Sequence, residues 1–199
     1  MPCCGGCLLL LALPLGVVLI ASPHVYFMPS ASMAPTLRGG DSQTGDRIVA
    51  SYWEYRLHPP RFGDIIVFMA PARADAQHVD PAEKVENILA KRIIGVPGDQ
   101  ILVKQGSGKT LDGQAAYAVY RNGRMLVEPY IKEPMDPPSS AAVYGVDKPL
   151  TVGPNEYFVM GDNRNDSNDS RYWGTLEKKR ILGKVTSIIA PPERVRGFP

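Results

Sequence analysis

From residue 46 onward the hydrophobic positions fall in short β-branched runs bounded by turn residues, not at helical spacing. DRIVASY (46–52) and GDIIVFMA (63–70) are each opened by a Gly-Asp turn. ENILAKRIIGV (86–96) is apolar except for a charged pair in its middle, and PGDQILVKQ (97–105) follows after a tight Pro-Gly turn. AYAVYRNGRMLVE (116–128) predicts a hairpin, with Asn122-Gly123 suited to a type I′ turn. NEYFVMGD (155–162) and ILGKVTSIIA (181–190) complete the set. Residues 71–85 are polar and irregular, a loop with one helical turn. Residues 133–150, rich in proline, predict an exposed extension. Strands at short spacing without a long helical period predict a mainly β domain of antiparallel sheets.

The N-terminus has a different pattern. No Asp, Glu, Lys or Arg precedes Arg38, and residues 7–22 are almost wholly apolar. That run is a little shorter than the roughly 20 residues of a spanning helix, a gap that tilt or the apolar HVYFM after it covers. A cleaved leader normally carries a basic n-region, which is missing here. A core helix rarely begins at residue seven. The pattern therefore predicts a retained anchor over 1–27 with a single span at 7–22, followed by a β domain over 28–199. Without basic flanks, charge gives the span no orientation.

Composition narrows the chemistry. The chain has 199 residues, 22 Lys and Arg against 20 Asp and Glu, and no basic patch of the kind that binds nucleic acid. Its three cysteines, Cys3, Cys4 and Cys7, all stand before or at the start of the apolar run, so the β domain has no disulfide and no thiolate metal site. Its three histidines, His24, His58 and His78, sit in surface or interfacial contexts, and no G-x-S-x-G elbow exists. A Ser-His-Asp triad fits poorly.

Three stretches carry chemistry. MPSASMAPTL (28–37) sets Ser30 and Ser32 between two prolines that stiffen the segment. Lys91 lies in an apolar strand. Facing inward, it loses hydration, and its ammonium yields its proton more readily, as a general base requires. The alternative is that Lys91 reaches solvent while Arg92 faces in. GDNRNDSNDSR (161–171) has no aliphatic side chain, yet it holds two arginines and three aspartates directly after an apolar strand. A solvated loop is one reading. A loop braced by Asx turns and Asp-Arg pairs, able to aim a hydroxyl at an amine, is the other.

Taken together, PSASMAPTL, RFGDIIVF, AKRIIGVPGD and GDNRNDSNDSRYWG resemble, in order, the motifs of the type I signal peptidases, or leader peptidases. Each motif alone is weak. The set is specific and covers most of residues 28–174.

The resemblance implies a coiled antiparallel β fold and a serine–lysine dyad that cuts signal peptides from preproteins through an acyl-enzyme. By position it implies Ser32 as nucleophile, Lys91 as general base, Ser30 as an oxyanion donor and Ser167 as the hydroxyl that orients the amine. Arg92 with Asp162, and Asp169 with Arg171, match ion pairs that support the site. Met28, Met33, Leu37, Leu89 and Ala90 match the walls of small-residue pockets. It further implies a monomer bound to the lipid bilayer of the cytoplasmic membrane by a single pass, its catalytic domain on the non-cytoplasmic side. No metal or cofactor is required. Pilin-processing peptidases of conjugation share the dyad but have a less complete late motif. A self-cleaving repressor would need a DNA-binding domain. An inactive membrane-anchored scaffold would need no alignment of Ser32 with Lys91.

Overall fold

The computed structural model describes residues 23–51, 53–75 and 88–199. The span expected at 7–22 lies outside these residues. Among the described residues no helix is long and apolar enough to cross a membrane.

Eight strands form the larger sheet: β1 (His24–Phe27), β2 (Arg47–Ser51), β3 (Ile65–Met69), β4 (Ile88–Gly95), β9 (Glu156–Met160), β10 (Leu176–Glu177), β11 (Ile181–Ala190) and β12 (Arg196–Gly197). Their order is β1-β2-β11-β3-β4-β9-β10, with β12 on β11. A smaller sheet holds β5 (Gln100–Lys109), β6 (Ala115–Arg121), β7 (Arg124–Met125) and β8 (Leu150–Thr151) in the order β7-β6-β5-β8. Every pairing between these strands is antiparallel. Among the described residues, helix is confined to single turns, including α1 (Glu54–Leu57), α2 (Ala72–Asp75) and α3 (Ser170–Trp173).

Three apolar clusters explain why the strand sequences read as they do. The larger sheet is covered on both faces at β3, so IIVF is continuous instead of alternating. Ile65 and Val67 join Met28, Met33, Leu37 and Ile48 on one face, while Ile66 and Phe68 join Ile93, Val159 and Trp173 on the other. The third cluster welds the sheets, with Ile94, Phe158 and Met160 from the larger meeting Ile101, Val103 and Val119 from the smaller. Asn122 and Gly123 have φ of 53° and 77°, the left-handed pair that a type I′ turn demands.

Two expectations need correction. His24–Phe27, placed within the anchor, is instead β1, paired with β2 in the register His24↔Ala50 to Phe27↔Arg47. Its aromatic and β-branched residues suit an edge strand as well as a lipid-facing helix end. The stretch 133–150 is exposed over much of its length but is not a free extension. Met135 is 2% exposed and bridges to Tyr117, and Val146 bridges to Val103. Ala142 is buried, and the Tyr144 N–H donates to the Arg171 carbonyl at 3.0 Å. Proline content reports backbone stiffness, not exposure, and here it makes a strap across the smaller sheet.

Candidate active site

Directly after β1 the chain turns through a 3₁₀ helix, Ala31–Met33, with Ser32 at its middle. Ser30 caps the turn in an extended conformation, and its Oγ accepts from the Ser32 N–H at 3.2 Å. A serine at this position satisfies an otherwise orphaned amide. Met33 and Leu37 point into the core and are fully buried. They hold the segment down and are not among the residues that line the cleft beside Ser32, unlike the expectation for both.

Lys91 comes from β4, which is paired on both edges, with β3 and β9. Its side chain projects from the sheet face and is covered by packing, leaving Lys91 3% exposed. Its Nζ lies 2.6 Å from Ser32 Oγ across 59 residues of sequence. Burial pushes the Lys91 ammonium down to about 8, against an opposing pull from the Asp169 and Asp162 carboxylates; Arg171 acts in the same direction as burial. Of the two readings left open for this strand, the solvent-facing Lys91 is excluded by its burial, although Arg92 is also largely covered. Its guanidinium grips Asp162 through both oxygens at 2.8 and 2.6 Å, donates to the Gly63 carbonyl at 2.9 Å, and lies 4.0 Å from the Tyr130 ring centroid.

The late loop is braced, not solvated. Arg171 holds Asp169 through both oxygens at 2.8 and 2.9 Å, and both residues are buried. Asp169 also accepts from the Gly161 N–H at 3.1 Å. A pair not anticipated from the sequence, Arg164 with Glu128 at 2.8 and 2.6 Å, fixes the outer side of the loop. Asn163 joins loop and nucleophile: its N–H donates to the Ser32 carbonyl at 3.1 Å and its Nδ2 to the Ala31 carbonyl at 3.3 Å. The hydrogen bond expected from Ser167 to the Lys91 amine is not formed. Ser167 Oγ is buried without a partner and lies against Gly161.

A cleft of about 110 Å³ opens beside Ser32 and Lys91, walled by Met28, Leu89 and Ala90 as expected, and also by Tyr26, Ile48 and Val67. Two larger surface grooves, of about 510 and 560 Å³, contain neither Ser32 nor Lys91. Among the described residues no group of three or more His, Cys, Asp or Glu is placed to hold a metal.

Sequence reasoning missed Gly161, Asn163 and the Arg164–Glu128 pair. Glu128 ends a predicted strand 36 residues from its partner, so no local signal joined them. The arginine count of the loop was the available hint, because each buried guanidinium needs an acceptor.

The family model described as "Signal peptidase, peptidase S26" matches residues 5–190. The chain is 38% identical over 169 residues to "Probable signal peptidase I-2" of Synechocystis sp., covering 85% of this chain and 64% of that protein. It is 37% identical over 190 residues to "Probable signal peptidase I-1" of the same organism, covering 94% and 82%. Against the "Signal peptidase I" of Mycobacterium tuberculosis the identity is 31% over 214 residues, covering 89% and 68%.

Proposed function

The chain belongs to the signal peptidase, peptidase S26 family, and from that premise we propose that it is a serine endopeptidase that removes N-terminal signal peptides from exported preproteins with a Ser32–Lys91 dyad. The observation that carries this reading is the 2.6 Å contact between Ser32 Oγ and a buried Lys91 Nζ. Neutral Lys91 takes the hydroxyl proton as Ser32 attacks the scissile carbonyl, then gives it to the leaving amine. Water, deprotonated by the same amine, hydrolyses the acyl-enzyme. Burial supplies the neutral lysine: at pH 8 an unperturbed lysine would be neutral in roughly one molecule in 300, whereas a group held at about 8 is neutral in about half.

The oxyanion is met by the Ser32 N–H and the Ser30 hydroxyl. In the free protein that hydroxyl accepts from the amide, so substrate turns it from acceptor to donor toward the new charge. One such donor contributes about 3–4 kcal/mol to the transition state. Arg92–Asp162 and Asp169–Arg171 support the site by fixing β4 and the late loop. The cleft walled by Met28, Leu89 and Ala90 suits the small side chains of an Ala-x-Ala end.

The anchor at 7–22 places the site at a bilayer surface, on the non-cytoplasmic side of a single-pass monomer. Phe27 and Ile88, beside the cleft and 39% and 47% exposed, support contact with lipid. No metal or cofactor enters the reaction.

The test is cleavage, in detergent, of a preprotein and of a short peptide with an Ala-x-Ala end, over a range of pH. We expect cleavage after the second alanine and an acid limb of kcat/KM with its midpoint near 8. Lack of cleavage rejects the reading. Cleavage with a midpoint near 10.5 leaves the activity but removes Lys91 as the base.

A further inference from the structure

The nucleophile segment is closed at its base by one buried carboxylate. The Asp46 carbonyl accepts from the Met28 N–H at 2.9 Å, where the segment begins. At its other end the Asp46 N–H donates to the Arg38 carbonyl at 2.9 Å, and Asp46 Oδ2 accepts from the Arg38 N–H at 2.7 Å. Asp46 is fully buried. Its charge is matched by Arg194, whose Nε and Nη2 lie 2.6 and 2.9 Å from Oδ1 and Oδ2. Arg194 belongs to a 3₁₀ turn, Pro192–Arg194, beyond the residues 5–190 that match the family model.

The same guanidinium reaches the segment itself. Arg194 Nη2 lies 3.3 Å from the Thr36 carbonyl oxygen and 3.4 Å from that of Pro35. Arg196, in β12, donates to the Thr36 carbonyl at 2.5 Å. The downstream half of the loop that holds Ser32 is thus fastened from the far end of the chain. Such fastening does chemical work because Ser32 Oγ must stay within hydrogen-bond reach of an amine on another strand, and a misplacement of about 1 Å costs about 100-fold in rate. A guanidinium suits the task because it alone pairs both carboxylate oxygens in a plane and still has an N–H to spare.

Accepting the Ser32–Lys91 reading, we infer that Arg194 is a positioning residue for the nucleophile, acting through Asp46 and the Pro35 and Thr36 carbonyls to hold Ser32 against Lys91. Arg194 touches neither substrate nor the reacting atoms. Loosening it lets Ser32 drift from the amine and water reach Lys91.

The experiment compares wild type, Arg194→Ala and Arg194→Lys on the short Ala-x-Ala peptide, with folding checked by circular dichroism at the assay temperature. Arg121→Ala serves as the control. It removes a partly buried ion pair with Asp99, 2.7 Å long and part of neither the cleft nor the nucleophile segment. For folded Arg194→Ala we expect kcat to fall at least tenfold with KM within twofold, and the acid limb of the pH profile to move upward toward free lysine. Arg194→Lys keeps the charge but not the fork, and should fall between the two; it carries the test alone if the alanine variant does not fold. Arg121→Ala should lower thermal stability and leave both kcat and the acid limb in place. Wild-type kcat and an unmoved acid limb in folded Arg194 variants overturn the inference. So does a loss of kcat that only follows the folded fraction. Inactive wild type would instead reject the dyad reading, so the two failures are separable.

Discussion

Lys91→Arg is expected to lower kcat/KM by at least about 10³-fold. Charge and length are nearly kept, so the loss isolates proton transfer. In the proposed reaction Lys91 serves because burial lets it shed a proton near pH 8, whereas guanidinium stays protonated throughout the working range. Ser32→Ala should be equally inactive, since it removes the oxygen that forms the acyl-enzyme. Peptide cleavage at single turnover measures both. Activity in Lys91→Arg would mean another base operates.

Stability should move the other way. A lysine held near 8 in the fold but at 10.5 when unfolded is penalised when protonated by on the order of 3 kcal/mol. The sign is set by which state binds more protons. Below pH 8 both states are protonated and the whole penalty is present. Between 8 and 10.5 the unfolded chain holds the proton and the fold does not, so stability rises with pH. Lys91→Met, apolar and of similar length, should therefore be more stable than wild type at pH 7 and lack that rise. Urea unfolding at pH 7 and pH 10 reads both effects.

Gly161→Ala is the second large effect, expected at about 100-fold or more in kcat/KM. The φ of Gly161 is not in the left-handed region, so the backbone itself admits alanine. Space does not. A Cβ there would collide with the Ser32 carbonyl oxygen and with Ser167 Oγ. Relief requires the nucleophile segment or the late loop to move, which strains the 3.1 Å bond from the Asn163 N–H to the Ser32 carbonyl. Gly108→Ala is the contrast, because its Cβ would meet only Ala116 Cβ at an ordinary 3.7 Å. It should leave activity and folding unchanged. A fully active Gly161→Ala enzyme would show that the segment tolerates displacement.

The long strands were legible because a β-branched run between turn residues has few other ways to bury itself. β2, β3, β4, β9 and β11 lie within the stretches that predict them, and Asn122-Gly123 turns as its φ values require. β1 was lost because HVYF adjoins an apolar run and takes on its appearance. The strap at 133–150 was misread because composition describes a residue's preference and not what stands beside it. Met33 and Leu37 illustrate the same limit: apolar residues next to a nucleophile can wall a pocket or anchor a turn, and only packing distinguishes these. The Ser32–Lys91 contact spans 59 residues, a distance that periodicity does not bridge. Resemblance supplied the pairing. Gly161 was invisible for another reason, since its contribution is a missing Cβ that lets Ser32 and Ser167 pack against its backbone.

The place of β11 in the larger sheet has a consequence for the order of synthesis. β1 and β2 flank Ser32, and β4, paired with β3, carries Lys91, yet β2 and β3 are not neighbours; β11 lies between them and pairs with each. The two halves of the dyad therefore sit on separate sheet fragments until residues 181–190 have been made and have inserted. Asn163, which ties the Ser32 turn to the late loop, also arrives after Lys91. Before β11 is in place, Ser32 and Lys91 thus share no common sheet.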